Sequence, residues 1–138
     1  MTKLTLDPAL IETNSALQDH FGYRLTGWEA GRASLELPLI PQLMNRSGIP
    51  HGGVYATLLD TAMGYAGCYT GDPDRKALAL TLSMTVNFLS RPKGQRLIAH
   101  AERTGGGAKT FFAEAHIVDE TGEMIARATG AFKLRETR

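Results

Sequence analysis

The fold of this chain is decided by the stretch His51-Gly52-Gly53-Val54-Tyr55-Ala56-Thr57-Leu58-Leu59-Asp60-Thr61-Ala62-Met63-Gly64-Tyr65-Ala66-Gly67-Cys68. Beyond its glycine pair the segment is apolar on nearly every side, and helices of that kind occupy the centre of a fold. One carboxylate, Asp60, stands in the middle of the segment. An ionised side chain there costs on the order of several kcal/mol unless it is paired or hydrogen-bonded. The rest of the chain must therefore explain Asp60.

The length and charge of the chain limit its partners. Its 138 residues predict one domain over residues 1–138, with a single compact core. The 15 Lys and Arg side chains nearly balance the 14 Asp and Glu side chains, so bulk charge offers no means of binding nucleic acid or an anionic membrane. Cys68 is the only cysteine, which excludes an intrachain disulfide and fits a cytoplasmic protein. No apolar run reaches the roughly 20 residues of a membrane span.

The segments around residues 51–68 show one further helical pattern and several strand patterns. Asp7-Pro8 and the spacing of the apolar residues that follow predict a short amphipathic helix from Pro8 to Asp19. Strand patterns cover residues 23–28, 32–37, 77–89, 96–103, 109–118 and 124–134. The first two strands form a hairpin, and prolines and glycines break regular structure between residues 38 and 51.

The strand pattern of residues 77–89 alternates strictly. Leu80, Leu82, Met84, Val86 and Phe88 alternate with Thr81, Ser83, Thr85 and Asn87, which predicts one dry and one wetter face. The later strands carry small residues where a curved sheet could close onto a helix, namely Ala99, Ala101, Ala113, Ala115, Ala126 and Ala128. The order of elements predicts an α+β fold in which an antiparallel sheet wraps around one long central helix.

The residues around Asp60 and before the helix allow two interpretations. The helical neighbours of Asp60 are mostly small, which leaves room for a ligand or a second backbone. The alternative is that these residues only permit close packing, with Asp60 satisfied by the hydroxyl of Thr57 or Thr61. Gly52 and Gly53 present unpaired amides at the positive end of the helix dipole, where an oxyanion could bind. Glycines at such a junction also commonly serve only a tight turn.

The spacing of Gly52 and Asp60 carries a stronger implication. Eight residues separate them, which is about 12 Å along an α-helix. The Gly52 amide and the Asp60 carboxylate of one chain therefore cannot contact the same reacting carbon. If both act on one carbonyl, a second subunit must supply one of them, and the site would straddle a two-fold interface.

Other candidate motifs carry less chemistry. Gly105-Gly106-Gly107-Ala108-Lys109-Thr110 lacks the glycine spacing of a phosphate loop, although its amides could touch a phosphate. Arg91 and Lys109 are typical of a solvated face, but two neighbouring loops could present them to a polyanion. The four histidines show no metal-ligand spacing, so no metal site is predicted. A Gly-x-Ser-x-Gly nucleophile elbow is absent.

The spacing Asn45-x-x-Gly48-x-x-His51-Gly52-Gly53, followed by Asp60-Thr61-Ala62-Met63-Gly64, resembles that of the hotdog-fold acyl-CoA thioesterases. Within them it is most similar to the phenylacetate-degradation (PaaI-like) group of the 4-hydroxybenzoyl-CoA thioesterase superfamily. The order of elements from Tyr23 to Leu134 is compatible with the hotdog fold. The resemblance implies a homodimer made by joining two sheets side by side, commonly paired again into a homotetramer.

The same resemblance assigns roles to five residues. Asp60 matches the catalytic carboxylate, acting as general base on water or as nucleophile on the thioester carbonyl. Gly52 matches the glycine whose amide polarises that carbonyl, and His51 shapes the same turn. Asn45 matches a side chain near the thioester or the water, and Thr81 one that positions water beside the carboxylate. In the family, Asn45 and Gly52 come from one subunit and Asp60 and Thr81 from the other.

The implied activity is hydrolysis of an acyl-CoA, with an aryl or a short or medium acyl group, to free acid and CoA. Substrate-binding residues are expected at Gly53, Arg91, Gly107 and Lys109. A thioester is already activated, so neither a metal nor another cofactor is implied. Two alternatives remain open. One is a non-catalytic acyl-CoA-binding module, which would have no use for Asp60. The other, ranked lower, is an enoyl-thioester hydratase, whose relatives carry a histidine where this chain has Tyr65.

Overall fold

The computed structural model describes residues 3–137. The α-helices are α1 (Ala16–Phe21) and α2 (Gly52–Gly67), and single 3-10 turns span Pro8–Leu10 and Pro41–Leu43. The strands are β1 (Arg24–Glu29), β2 (Arg32–Pro38), β3 (Lys76–Phe88), β4 (Arg96–Gly106), β5 (Thr110–Asp119) and β6 (Met124–Thr137). The central helix and the strands therefore lie where the sequence predicts them, and no end is shifted by more than three residues.

The six strands form one antiparallel sheet in the order β1-β2-β4-β5-β6-β3. The strand that follows α2 in the chain is thus placed at an edge, beside the last strand. Helix α2 packs against one face of the sheet and contacts all six strands. The predicted α+β architecture, an antiparallel sheet around one long helix, is confirmed.

Small residues on the sheet allow α2 to approach closely. The six alanines predicted at closing positions are all buried, as are Leu58, Leu59 and Met63 on the facing side of the helix. Near the end of α2, the ring of Phe111 occupies the space that a side chain of Gly67 would need. Phe111 in turn stacks on Phe132 with ring centroids 4.9 Å apart. Apolar burial on the sheet face therefore fixes where α2 lies. None of the helices formed by residues 3–137 combines the length and hydropathy needed to cross a bilayer.

The predicted helix from Pro8 to Asp19 is wrong. The Asp7 side chain caps only the turn at Pro8–Leu10, and the backbone is extended at Ile11. Helix α1 begins after Ser15, whose hydroxyl accepts the amide of Gln18. The intervening Thr, Asn and Ser residues bond readily to nearby backbone and favour caps over helix interiors. Each cap therefore starts its own short element.

The predicted single dry face of β3 is also wrong. Thr81 pairs with Phe132 and Ser83 with Ala131, so Leu82 is an extra, bulged residue. A bulge reverses the alternation of faces. Before it, Thr81 points toward α2 while Leu80 is exposed, and after it Met84 packs against the core. The structure thereby brings a hydroxyl from the predicted wetter face to the helix.

Candidate active site

The start of α2 presents one backbone amide without a partner. The ring Nδ1 of His51, the N-cap residue, accepts the amide of Gly53 at 2.8 Å, and the His51 carbonyl accepts that of Val54. The Gly52 amide donates to no group within residues 3–137. Because the helix dipole is positive at this end, an anion or a polarised carbonyl oxygen would be stabilised there.

The Gly53 amide, which was predicted to contact substrate, is already used by His51. The imidazole thus occupies the Gly53 amide and leaves Gly52 as the available donor. The ring of Phe88 lies against Gly52, 3.3 Å from where a Cβ would stand. A side chain at residue 52 would therefore press on Phe88 beside the free amide.

Asn45 organises the loop that leads into α2. Its side-chain oxygen accepts the amides of Ser47 and Ile49 at 2.9 and 3.3 Å, and its backbone amide donates to the Ile49 carbonyl. Gly48 makes the tight turn possible because it has a φ of 75°, which favours glycine. With the oxygen occupied, the side-chain NH₂ of Asn45 is the group left to bind a ligand.

Asp60 is held by β3. The Thr81 hydroxyl donates to Asp60 Oδ1 at 2.6 Å, a short bond of the charge-assisted kind. Asp60 is half-buried rather than enclosed in the core, so its second oxygen can meet solvent or a ligand. The Thr57 hydroxyl, considered above as a partner for Asp60, instead donates to the Gly53 carbonyl at 2.9 Å. The structure thus brings together Asp60 and Thr81.

The two pairs of candidate residues lie at separate places. Helix α2 runs unbroken from Gly52 to Gly67, so Gly52 and Asp60 are about 12 Å apart along its axis. The structure brings Asn45, His51 and Gly52 together at the helix start and Asp60 and Thr81 together at its middle. One chain therefore holds two incomplete halves of the predicted site.

The basic residues follow the same division. Arg91 lies in the loop before β4, and Lys109 lies in the turn after it, so the length of an 11-residue strand, about 33 Å, separates them. The expectation that neighbouring loops present both is wrong within one chain. The Lys109 carbonyl accepts the amide of Leu134, which pairs with Ala79, so Lys109 lies at the Thr81 end of the sheet. The Gly107 amide, which was expected to touch a phosphate, donates to the Thr110 carbonyl.

Asp119 fixes the loop that carries Arg91. This buried carboxylate accepts the amides of Lys93 and Gly94 at 2.7 and 2.9 Å through one oxygen. Its other oxygen accepts the Thr121 hydroxyl at 2.6 Å and the Glu123 amide at 3.1 Å. The sequence reasoning missed this role because Asp119-Glu120-Thr121-Gly122 has the composition of an ordinary turn.

Three further ionisable side chains, Cys68, His100 and His116, are fully or partly buried. Burial and the nearby Glu12 raise the pKa of the Cys68 thiol to about 11, so it stays protonated and is a poor nucleophile. His100 and His116 face each other across β4 and β5, with ring centroids 5.2 Å apart. Burial lowers the pKa of both imidazoles, which therefore remain neutral. No three metal-ligating side chains converge anywhere in residues 3–137.

A comparison with protein families finds a match that spans α2 and strands β3 to β5. The model of the thioesterase superfamily matches residues 47–126. That span is more than half of the chain and includes α2, Asp60 and Thr81. The chain belongs to the thioesterase superfamily. Asn45 lies just outside the span that this thioesterase model matches.

Individual thioesterase relatives resemble the chain over most of its length. A Listeria monocytogenes protein named 1,4-dihydroxy-2-naphthoyl-CoA hydrolase is 29% identical over 119 residues, 85% of this chain and 95% of that protein. The structure of a thioesterase family protein from Silicibacter pomeroyi matches with a TM-score of 0.76 at 29% identity, covering 87% of this chain and 89% of that one.

The structure of the E. coli PaaI protein from the phenylacetic acid degradation operon also matches, with a TM-score of 0.76 at 22% identity. It covers 87% of this chain and 84% of that one. This likeness shows a shared fold alone. Together with the superfamily match, it confirms the hotdog fold that the sequence predicts.

Proposed function

We propose that the protein is an acyl-CoA thioesterase whose active site is formed by two subunits. The observation that carries the proposal is the Thr81–Asp60 hydrogen bond of 2.6 Å, which presents a carboxylate at the surface of α2. The unpartnered Gly52 amide supplies the second requirement, a donor for a thioester oxygen. An oriented carboxylate and an oxyanion donor are sufficient for thioester hydrolysis.

In the proposed reaction the thioester oxygen accepts the Gly52 amide, which increases the positive charge on the carbonyl carbon. The Asp60 carboxylate removes a proton from a water molecule as the water oxygen bonds to that carbon. The carbon–sulfur bond then breaks, and the CoA sulfur takes up a proton as the acid is released. In the nucleophilic variant, Asp60 itself bonds to the carbon and water later hydrolyses the anhydride. Both routes require ionised Asp60.

Strand β3 is the edge that we propose joins the two subunits. It exposes four large apolar side chains, Leu78, Leu80, Leu82 and Phe88, each at least half exposed. An exposed apolar edge strand is an unused pairing surface. Antiparallel pairing of two β3 strands about a two-fold axis places the Phe88 end of one beside residues 77–81 of the other. Gly52 and Asn45 then approach Asp60 of the partner subunit.

The same axis accounts for the basic residues. Arg91 follows the Phe88 end of β3, whereas Lys109 lies at the Thr81 end of the sheet. In the proposed dimer, Arg91 of one subunit and Lys109 of its partner therefore flank one site. Two cations at the mouth of that site suit the phosphates of CoA. Further pairing of dimers would give the homotetramer that the family resemblance implies.

A complementation experiment tests the shared site. Asn45→Ala and Asp60→Asn each damage a different half, so each homodimer is expected to hydrolyse acyl-CoA poorly. After mixing and subunit exchange at equal amounts, half of the dimers are mixed, and each mixed dimer has one intact site. Release of CoA should therefore return to about a quarter of the wild-type rate. If activity stays at the level of the separate variants, the site does not span two chains.

Thr81→Val tests the support of Asp60. Valine keeps the shape of threonine but removes the donor to Oδ1, and bonds to charged groups contribute about 1.5–3 kcal/mol. We expect kcat to fall at least about tenfold and the melting temperature to fall by a few degrees, since the bond is lost from the folded state as well. Thr81→Ser, which retains the hydroxyl, should keep most of the activity. Equal loss in the valine and serine variants would contradict an orienting role for the hydroxyl.

The acyl group of the substrate is proposed from the family resemblance. We propose membership in the PaaI-like group and an aryl or a short or medium acyl substrate. The name of the Listeria monocytogenes relative, a dihydroxynaphthoyl-CoA hydrolase, supports an aryl group. Release of CoA across a panel of aromatic, short and medium acyl-CoAs tests the choice directly.

A further inference from the structure

A groove of about 310 Å³ lies along α2, and its lining includes Thr61 and Ala79, which neighbour the Asp60–Thr81 pair in the helix and the strand. Its volume lies near the lower end of the roughly 300–1,000 Å³ typical of small-molecule clefts. Small side chains line it beside the pair, namely Thr61, Gly64, Ala77 and Ala79. Aromatic side chains line the farther part, namely Tyr23, Trp28 and Tyr65. Residues that adjoin Asp60 along α2 therefore form one part of a groove whose other part is aromatic.

The fold does not explain why residue 64 is glycine. Gly64 lies inside α2, its φ is not positive, and a Cβ added to it would meet no atom within 4 Å. Gly67, one turn later, differs because the Phe111 ring fills its side-chain space. Glycine inside a helix is destabilising relative to alanine. Gly64 therefore lowers stability without improving packing, and its effect is to keep the groove open one turn from Asp60.

We propose that Gly64 determines the size of the acyl group, and that the groove holds an acyl group that is bulky close to the thioester, such as one with an aromatic ring. This inference rests on the proposed thioesterase function and names the residue that sets the size of its acyl group. An acyl carbon bonded next to the thioester must lie beside Asp60, and Gly64 leaves space there for a ring. The walls at Trp28 and Tyr65, whose rings meet edge to face at 5.0 Å, suit a planar group.

The opening at Gly64 has one competing explanation, which is close approach of a second backbone in the dimer. The two explanations differ in what a methyl group would do. If a backbone fills the space, alanine would weaken the dimer and lower the melting temperature. If the space is for substrate, alanine would leave the dimer intact, keep or raise the melting temperature, and reduce binding of bulky acyl groups alone.

The experiment measures binding separately from turnover. Phenacyl-CoA and acetonyl-CoA carry a methylene between sulfur and carbonyl, so neither can be hydrolysed as a thioester. Calorimetry is expected to show that the wild type binds phenacyl-CoA at least tenfold more tightly than acetonyl-CoA. Gly64→Ala should reduce that preference about tenfold, because one misplaced methyl changes discrimination by roughly that factor. Gly64→Leu should abolish it.

Glu102→Ala is the control. Glu102 is exposed and lies on β4, three strands from β3 and outside the lining of the groove. This variant should keep the wild-type preference. Unchanged preference in Gly64→Leu, or a dissociated dimer in Gly64→Ala, would overturn the inference. Preferential binding by a wild type that releases no CoA from any acyl-CoA of the aromatic, short and medium panel would uphold the groove and refute the thioesterase function.

Discussion

Asp60→Asn is expected to reduce acyl-CoA hydrolysis at least tenfold while the protein remains a folded dimer. Asparagine has the shape of aspartate, and its side-chain oxygen can still accept the Thr81 hydroxyl, so the packing of α2 against β3 is largely kept. It cannot remove a proton from water or attack a carbonyl, and both proposed routes need one of those abilities. The measurement is the steady-state release of CoA, with melting temperature and sedimentation recorded for the same samples.

The result of this substitution separates an enzyme from a binding module. An acyl-CoA-binding module would bind phenacyl-CoA in both forms and release no CoA in either. An enzyme with the proposed mechanism releases CoA as wild type and binds phenacyl-CoA in the Asp60→Asn form. Near wild-type turnover by Asp60→Asn would refute the assignment of the carboxylate. Asp74→Asn, at an exposed turn residue away from α2, is a control for the charge change.

Asp119→Ala is expected to cause the largest loss of stability, about 3 kcal/mol or more in the free energy of unfolding. Asp119 is 2% exposed, and its oxygens accept amides from Lys93, Gly94 and Glu123. Alanine leaves these donors without partners, and each unsatisfied buried donor costs about 1–3 kcal/mol. Equilibrium urea unfolding measures the effect. Glu120 is an exposed carboxylate that accepts the amides of Gln95 and Arg96. Glu120→Ala should therefore lower the free energy of unfolding clearly less than Asp119→Ala does.

A second substitution, Asp119→Asn, should change how the free energy of unfolding depends on pH. Burial raises the pKa of the Asp119 carboxyl. Hydrogen bonds from the Thr121 hydroxyl and from neighbouring amides outweigh burial and hold that pKa well below its usual range. The unfolded chain, with a pKa of about 3.9, therefore binds the proton more readily than the folded one. The stabilisation is complete above about pH 5 and is lost as pH falls further. Asp119→Asn should flatten this acid limb.

The sequence predicted the central helix and the sheet because their patterns are long and local. Residues 52–67 are apolar on most sides and begin at a glycine pair, so no tertiary contact was needed to place α2. The strand ends followed from glycine and proline turns. The segment from Pro8 to Asp19 misled because its apolar spacing suits a helix, whereas Ser15 caps a new one. The segment could form either one helix or a turn followed by a separate short helix. Side chains that hydrogen-bond to nearby backbone favour the second arrangement.

The site was only half accessible to sequence reasoning. The distance between Gly52 and Asp60 follows from helix geometry, so the division into two halves could be predicted. The contact between Asp60 and Thr81 depends on a bulge that no periodic pattern reveals. Asp119 was missed because its partners are amides of a loop 25 and 26 residues earlier in the chain. Backbone donors carry no residue-type signature in a sequence.

The bulge at Leu82 has a consequence for how homologous strands correspond to each other. A relative that lacks the extra residue keeps an unbroken alternation through this strand, and its hydroxyl must then stand at a position of different parity to reach the same carboxylate. An ungapped alignment of two such strands would match an inward residue of one with an outward residue of the other. In such a pair of strands, the hydroxyl beside the acid would correspond in space and not in the count of residues.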